Sequence, residues 1–180
     1  MDHASLDQLV RSSLAALVRD LKRTTWLGRE RELVSLFVFE HLLPEGAKLQ
    51  PPLKPGQVGV EVAVPQHPPH GGKRRQPNVC KDVVIWPHPR MTTWTTLGQP
   101  LCYPSAVIEW KTLNNIGVRE RPAAKRAEFV RDREWMCAAT CRCPQMRGYV
   151  VWLDLTKAPR VVECTCVASG VASEPWVIGP

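Results

Sequence analysis

The sequence predicts a mixed α/β fold in which a central sheet is covered by helices, and three patterns carry that expectation. Apolar residues at Leu6, Leu9, Val10, Leu14, Leu17, Val18 and Leu21 recur at steps of three and four, the spacing of one helical stripe. Val58, Val60, Val62 and Val64 alternate with Gly59, Glu61 and Ala63, the period of a strand. Two short apolar runs, Val83 to Trp86 and Ala106 to Lys111, precede a further helical stretch and two more strands, so the two kinds of element intermix along the chain.

In the first helix, Ser5 is placed to cap the N-terminus, with Gln8 as its capping-box partner. A second helix is expected from about Arg29 to Leu43, with Leu33, Val34, Phe37, Val38 and Leu42 facing a core, and it should stop at Pro44-Glu45-Gly46. In the strand at 58–64 the valines form one buried face and Glu61 points the other way. Pro65 to Asn78 is rich in Pro, Gly, His and basic residues and reads as a loop, and Pro87 to Ser105 as a long loop or irregular hairpin. In the next strand Val107, Glu109 and Lys111 share one face, with Ala106, Ile108 and Trp110 on the other. Asn114 to Gly117 breaks the chain. A helix then runs from Pro122 to about Ala139, with Phe129, Trp135 and Met136 as anchors, and strands follow at Tyr149 to Leu155 and Val161 to Val167. One domain is expected over 1–180, with a helical extension at 1–28, a core at 29–167 and a C-terminal tail at 168–180.

Lys and Arg outnumber Asp and Glu by 24 to 17, giving a formal charge of +7 that favours polyanionic partners such as nucleic acid. No stretch approaches the roughly 18 uninterrupted apolar residues of a membrane span, and Met1-Asp2-His3-Ala4-Ser5 lacks the pattern of a signal peptide. The expected location is therefore the cytoplasm, with no membrane partner. Seven cysteines, an odd number, agree with free thiols in a reducing compartment.

The charged residues on the apolar strands are the chemical signal. Burying unpaired charge is costly, so Asp82 at the start of one strand and Glu109 and Lys111 on another need a cation, a metal or a hydrogen-bond network. Asp82, Glu109 and the Trp110 backbone carbonyl offer hard oxygens suited to Mg²⁺, or to Mn²⁺ in its place. Such an ion acidifies a bound water and polarises a phosphate, while Lys111 orients the water and neutralises developing charge, which together meet the needs of phosphodiester hydrolysis. A structural salt bridge between strands is the competing reading.

With Asp82 followed by Glu109-Trp110-Lys111, the chain resembles the PD-(D/E)XK nuclease superfamily, in which that motif spans two adjacent strands of a small mixed sheet. The resemblance covers roughly Arg29 to Val167 in layout and a handful of residues in identity. It implies a restriction-endonuclease-like fold, a Mg²⁺-dependent endonuclease acting on DNA, and a further acid on the helix before the sheet. Glu30 is preferred for that acid, because Leu33 and Phe37 place it at the edge of the buried face, and Glu32 is the alternative. The helix segment Asp132-Arg133-Glu134-Trp135-Met136 also matches the family's pattern. Lys81 stands where the family usually has Pro. A small basic domain of this kind commonly works as a homodimer when both strands are cut. A relative that keeps the fold but only binds nucleic acid or protein is the alternative function.

Lys73, Arg74 and Arg75 are candidates for phosphate contacts and Trp94 for base stacking, against the plainer reading of a solvated loop. The charges from Arg119 to Glu134 read as a mixed solvent face. Cys137, Cys141, Cys143, Cys164 and Cys166 lack the spacing of common zinc knuckles and read as small hydrophobes, while His67 and His70 read as surface histidines.

Overall fold

The computed structural model describes residues 1–23, 28–65, 78–91, 102–114 and 122–179. Seven strands form one mixed sheet flanked by helices. The strands are β1 (Val58–Pro65), β2 (Asn78–Ile85), β3 (Ala106–Leu113), β4 (Arg147–Asp154), β5 (Val162–Ala168), β6 (Val171–Ala172) and β7 (Trp176–Ile178). They follow the order β1-β2-β3-β4-β5-β6, with β7 also paired to β5. Among the described residues only β3 and β4 pair in parallel, and helix α4 (Pro122–Arg142) lies between them in the chain, the connection that parallel neighbours require. The residues expected to form a C-terminal tail thus include two strands that extend the sheet edge.

Each sheet face carries its own core. On one face, α1 (His3–Arg23), α2 (Glu30–Leu36) and the helical residues that follow pack Leu6, Leu14, Leu33 and Phe37 against Val83, Ile108, Trp110 and Val151. On the other, α4 packs Phe129, Trp135 and Met136 against Val84, Val107, Val150 and Val167. The first helix is integral to this packing: Asp7 receives bonds from Arg147 Nε and Nη2 at 3.1 and 2.6 Å and from the Tyr149 hydroxyl at 2.7 Å. Burial works against ionising Asp7, but those donors hold its carboxyl below the ordinary range.

Several local expectations are corrected. The first helix starts at His3, and Asp2 rather than Ser5 supplies the cap, its Oδ1 accepting the Ser5 N–H at 2.7 Å. The second helix ends within Pro44-Glu45-Gly46 as expected, at Gly46, but by an irregular route. It passes through a π-helical segment (Phe37–Leu42) into α3 (Leu43–Gly46), with the Leu43 N–H bonded to the Val38 carbonyl. That one-residue shift accommodates Pro44, which lacks an N–H, on the exposed side of the helix beside Phe39 and Glu40.

The alternation in β1 also fails. Val58 packs on the α1/α2 face, whereas Val62 and Val64 pack on the α4 face, so the strand changes faces midway. The switch falls at Glu61, whose φ of 52° lies in the left-handed region. Opposite it, Val60↔Val83 and Val62↔Lys81 are paired but the Glu61 and Asp82 position between them is not. The same break appears in β2: Val83 faces α1 and α2, yet Lys81, two residues earlier, lies against Trp135 of α4.

Candidate active site

The break in β1 and β2 coincides with a parting of β2 from β3. β2 stays with β1 along its length, but its pairing with β3 covers only Ile85↔Ala106, Val84↔Val107 and Val83↔Ile108. Beyond that point the β3 N–H groups that β2 would have covered need other acceptors. Asp82 Oδ2 takes the Trp110 N–H at 2.7 Å, and Glu30 Oε2, from the first turn of α2, takes the Thr112 N–H at 2.9 Å. The carboxylates of Asp82 and Glu30 therefore fill the gap where the two strands separate. Trp110 holds that stretch of β3 down on the other side, its ring edge-on to Phe37 with centroids 5.1 Å apart.

Lys111 projects into the gap. Its Nζ lies 3.2 Å from Asp132, 3.7 Å from Glu109 and 3.9 Å from Glu30, and donates to the Trp110 carbonyl at 2.8 Å. Glu109, 6% exposed, shares its β3 face as the alternation requires, and Lys81 approaches it to 3.4 Å. Lys125 of α4 stands 3.9 Å from Glu30. Asp82, Glu109, Lys111 and Glu30 are thus brought together, with Asp132, Lys81 and Lys125 added. Glu32 is elsewhere: it accepts the Arg29 N–H at 2.6 Å as a helix cap.

Asp132 and Lys125 belong to this cluster and not to the mixed-charge solvent face that the helix sequence predicts. Asp132 lies three residues after Phe129 and four before Met136, and Lys125 four before Phe129, so both fall on the stripe that packs on the sheet. That spacing was the available signal. Lys81 had no such signal, because a regular strand would have put it on the face of Val83. Lys73, Arg74, Arg75 and Trp94 lie outside the described residues.

Burial dominates the electrostatics. It pushes the Glu109 carboxyl up to about 7, with Asp82 and Asp132 acting the same way and Lys81 and Lys111 against. Asp82 is also raised by burial, partly offset by the Trp110 N–H and by Lys111. For Lys111 burial opposes the charge, but Glu109, Asp132, Glu30 and Asp82 outweigh it and raise the ammonium above its ordinary value.

Among the described residues, no three His, Cys, Asp or Glu side chains form a metal-ligand group. Mg²⁺ does not need three: it keeps several waters and is commonly held by one or two carboxylates. The oxygens of Asp82, Glu109 and the Trp110 carbonyl fit that habit. Glu109 Oε2 and Asp132 Oδ2 are buried without a hydrogen-bond partner among the described residues and face the Lys81 and Lys111 ammoniums at 3.4 and 3.2 Å. Beside Asp82 a cavity of about 330 Å³, lined by Arg31, Val34, Ser35, Val60, Glu61 and Asp82, opens the cluster on the α2 side. Arg31 and Glu61 pair there at 2.7 Å. No disulfide forms among the described residues. No helix among the described residues is long and apolar enough to cross a membrane. No protein-family model, curated protein or solved structure matches the chain.

Proposed function

We propose that this chain is a Mg²⁺-dependent nuclease of the restriction-endonuclease-like type that hydrolyses phosphodiester bonds, with DNA as its expected substrate. The observation that carries the reading is the position of Lys111, an ammonium among Glu109, Asp132 and Glu30 where β2 leaves β3, with Asp82 alongside. Mg²⁺, or Mn²⁺ in its place, would be held by Asp82, Glu109 and the Trp110 carbonyl, and when bound supplies an acidified water and a polarised phosphate. Lys111 stays protonated at neutral pH because its carboxylate neighbours raise it, so it acts as a fixed positive charge that orients water and stabilises the phosphorane oxygens, not as a base. Glu30 positions Lys111 while anchoring the Thr112 backbone. Glu109 binds a cation only when ionised, so activity should rise with pH through about 7.

The formal charge of +7 supports a polyanionic substrate, and Lys73, Arg74, Arg75 and Trp94 are proposed to grip it. A homodimer would serve cleavage of both strands. One observation favours a second reading, a module that binds without turnover: Lys81 already supplies Glu109 with a buried counter-charge.

Incubation with plasmid, linear duplex, single-stranded DNA and RNA, with Mg²⁺ or Mn²⁺ and with EDTA, separates the two. Metal-dependent cleavage that disappears in Lys111→Ala and Asp82→Asn supports the nuclease. Asp82→Asn is the informative acid variant, since its amide oxygen still accepts the Trp110 N–H. Salt-sensitive binding with no cleavage in either metal overturns the nuclease in favour of the module.

A further inference from the structure

We propose that Lys81 is a built-in cation occupying the α4 side of the carboxylate cluster, so that the site takes one divalent ion, on the Asp82 side, and not two. The inference rests on the metal-dependent reading above and concerns how many ions that site admits. Lys81 Nζ lies 3.4 Å from Glu109 Oε2, 3.8 Å from Asp132 Oδ1 and 4.1 Å from the centroid of the Trp135 ring. The side chain is 2% exposed and among the largest fully buried ones in the protein.

Two-metal hydrolytic sites hold their ions about 3.5–4 Å apart. Glu109 lies between Asp82 of β2 and Asp132 of α4, the latter sharing both Lys81 and Lys111 with it. A second ion would stand between Glu109 Oε2 and Asp132 Oδ1, and the Lys81 ammonium is already there, while Lys111 faces the other oxygen of each carboxylate. Glu109 Oε2 makes no hydrogen bond among the described residues, so its pairing with Lys81 is one of charge more than of direction, as it would be around a metal. The Trp135 ring face covers the ammonium and adds its own attraction for a cation.

Charge balance points the same way. Lys81, Lys111 and Lys125 already oppose Glu30, Asp82, Glu109 and Asp132. One divalent ion brings the cluster slightly past neutrality. A second would leave a large positive surplus in a buried place, which burial strongly disfavours.

The test counts Mn²⁺ bound per chain, by the paramagnetic resonance signal of free Mn²⁺ and by calorimetry, at mildly alkaline pH. One ion is expected in the wild type and two in Lys81→Ala, with the second lost again in Lys81→Ala combined with Asp132→Asn. Circular dichroism establishes that each variant is folded, and melting of Lys81→Ala should rise more with Mn²⁺ than that of the wild type. If Lys81→Ala does not fold, Lys81→Gln, which keeps the length without the charge, is counted in its place. Two ions in the wild type, or a single ion in a folded neutral variant, would overturn the role of Lys81 while leaving the metal reading intact. No ion in the wild type would instead overturn the metal reading itself.

Discussion

Single side chains in this protein are governed by what the sheet does around them. Glu109 is the clearest case, and the sign of its effect follows from its raised pKa. A carboxyl that ionises near 7 when folded and near its ordinary 4.5 when unfolded binds more protons in the folded state between those values. Its contribution to the metal-free protein is therefore fully present below about 4.5 and is lost as pH rises through about 7. Urea unfolding at a series of pH values should show stability falling across that window, by on the order of 2 kcal/mol, and Glu109→Gln should flatten the fall. An unchanged profile in the variant would mean that Glu109 is not the titrating group. The two acids at the start of α2 should separate as cleanly. Glu30→Gln is expected to lower turnover at least tenfold, since Lys111 and Lys125 lose a charge partner, while stability changes little. Glu32→Gln should leave turnover unchanged and cost about 0.5–1 kcal/mol of stability through a weaker cap. Cleavage rates and melting curves on the same two proteins decide the matter.

At the scale of elements, the site depends on three departures from regularity: the face switch in β1 and β2, the separation of β2 from β3, and the π-helical segment after α2. Packing of α4 on the sheet is the regular counterpart, and it is tight. A Cβ added at Gly148 of β4 would lie 2.0 Å from Met136 Cγ, so the helix approaches the strand as closely as glycine allows. Gly148→Ala should cost about 1–3 kcal/mol through overpacking. Met136→Ala alone should cost about 2–5 kcal/mol as a cavity, and the double variant should be more stable than the sum of the single losses implies. Denaturant titrations of the four proteins form the cycle, and strict additivity would show that the two residues do not meet. The elements themselves were largely legible from periodicity: α1, the strand faces of β3, the Pro122 start of α4, and β4 and β5 to within two residues. What periodicity missed were β6 and β7, too short to show a repeat, and the π-helical segment before Pro44, where one hydrogen bond is shifted by a residue.

For the whole molecule, the two cores on opposite sheet faces make the ends of the chain part of the fold. α1 supplies Leu6, Leu9, Leu14 and Leu17 to one core and is tied to β4 through Asp7, while Arg11 stacks over Trp176 of β7 at 3.9 Å. Removing residues 1–23 should expose that face of the sheet, giving a chain that binds a hydrophobic dye and lacks a cooperative melt. A truncated protein that melts sharply would show that α1 is dispensable. By itself, the sequence determined the mixed α/β class, the shared face of Glu109 and Lys111, and the acids worth suspecting, because alternation and helical spacing are local and a charge on an apolar strand is visible without coordinates. Only the tertiary structure decided which acid of α2 reaches the cluster, that Asp132 and Lys125 belong to it, and that Lys81 lies beneath it. Those answers depend on where two strands part and where a strand changes face, and such breaks are set by the packing of distant segments against one another, which leaves no period in the chain.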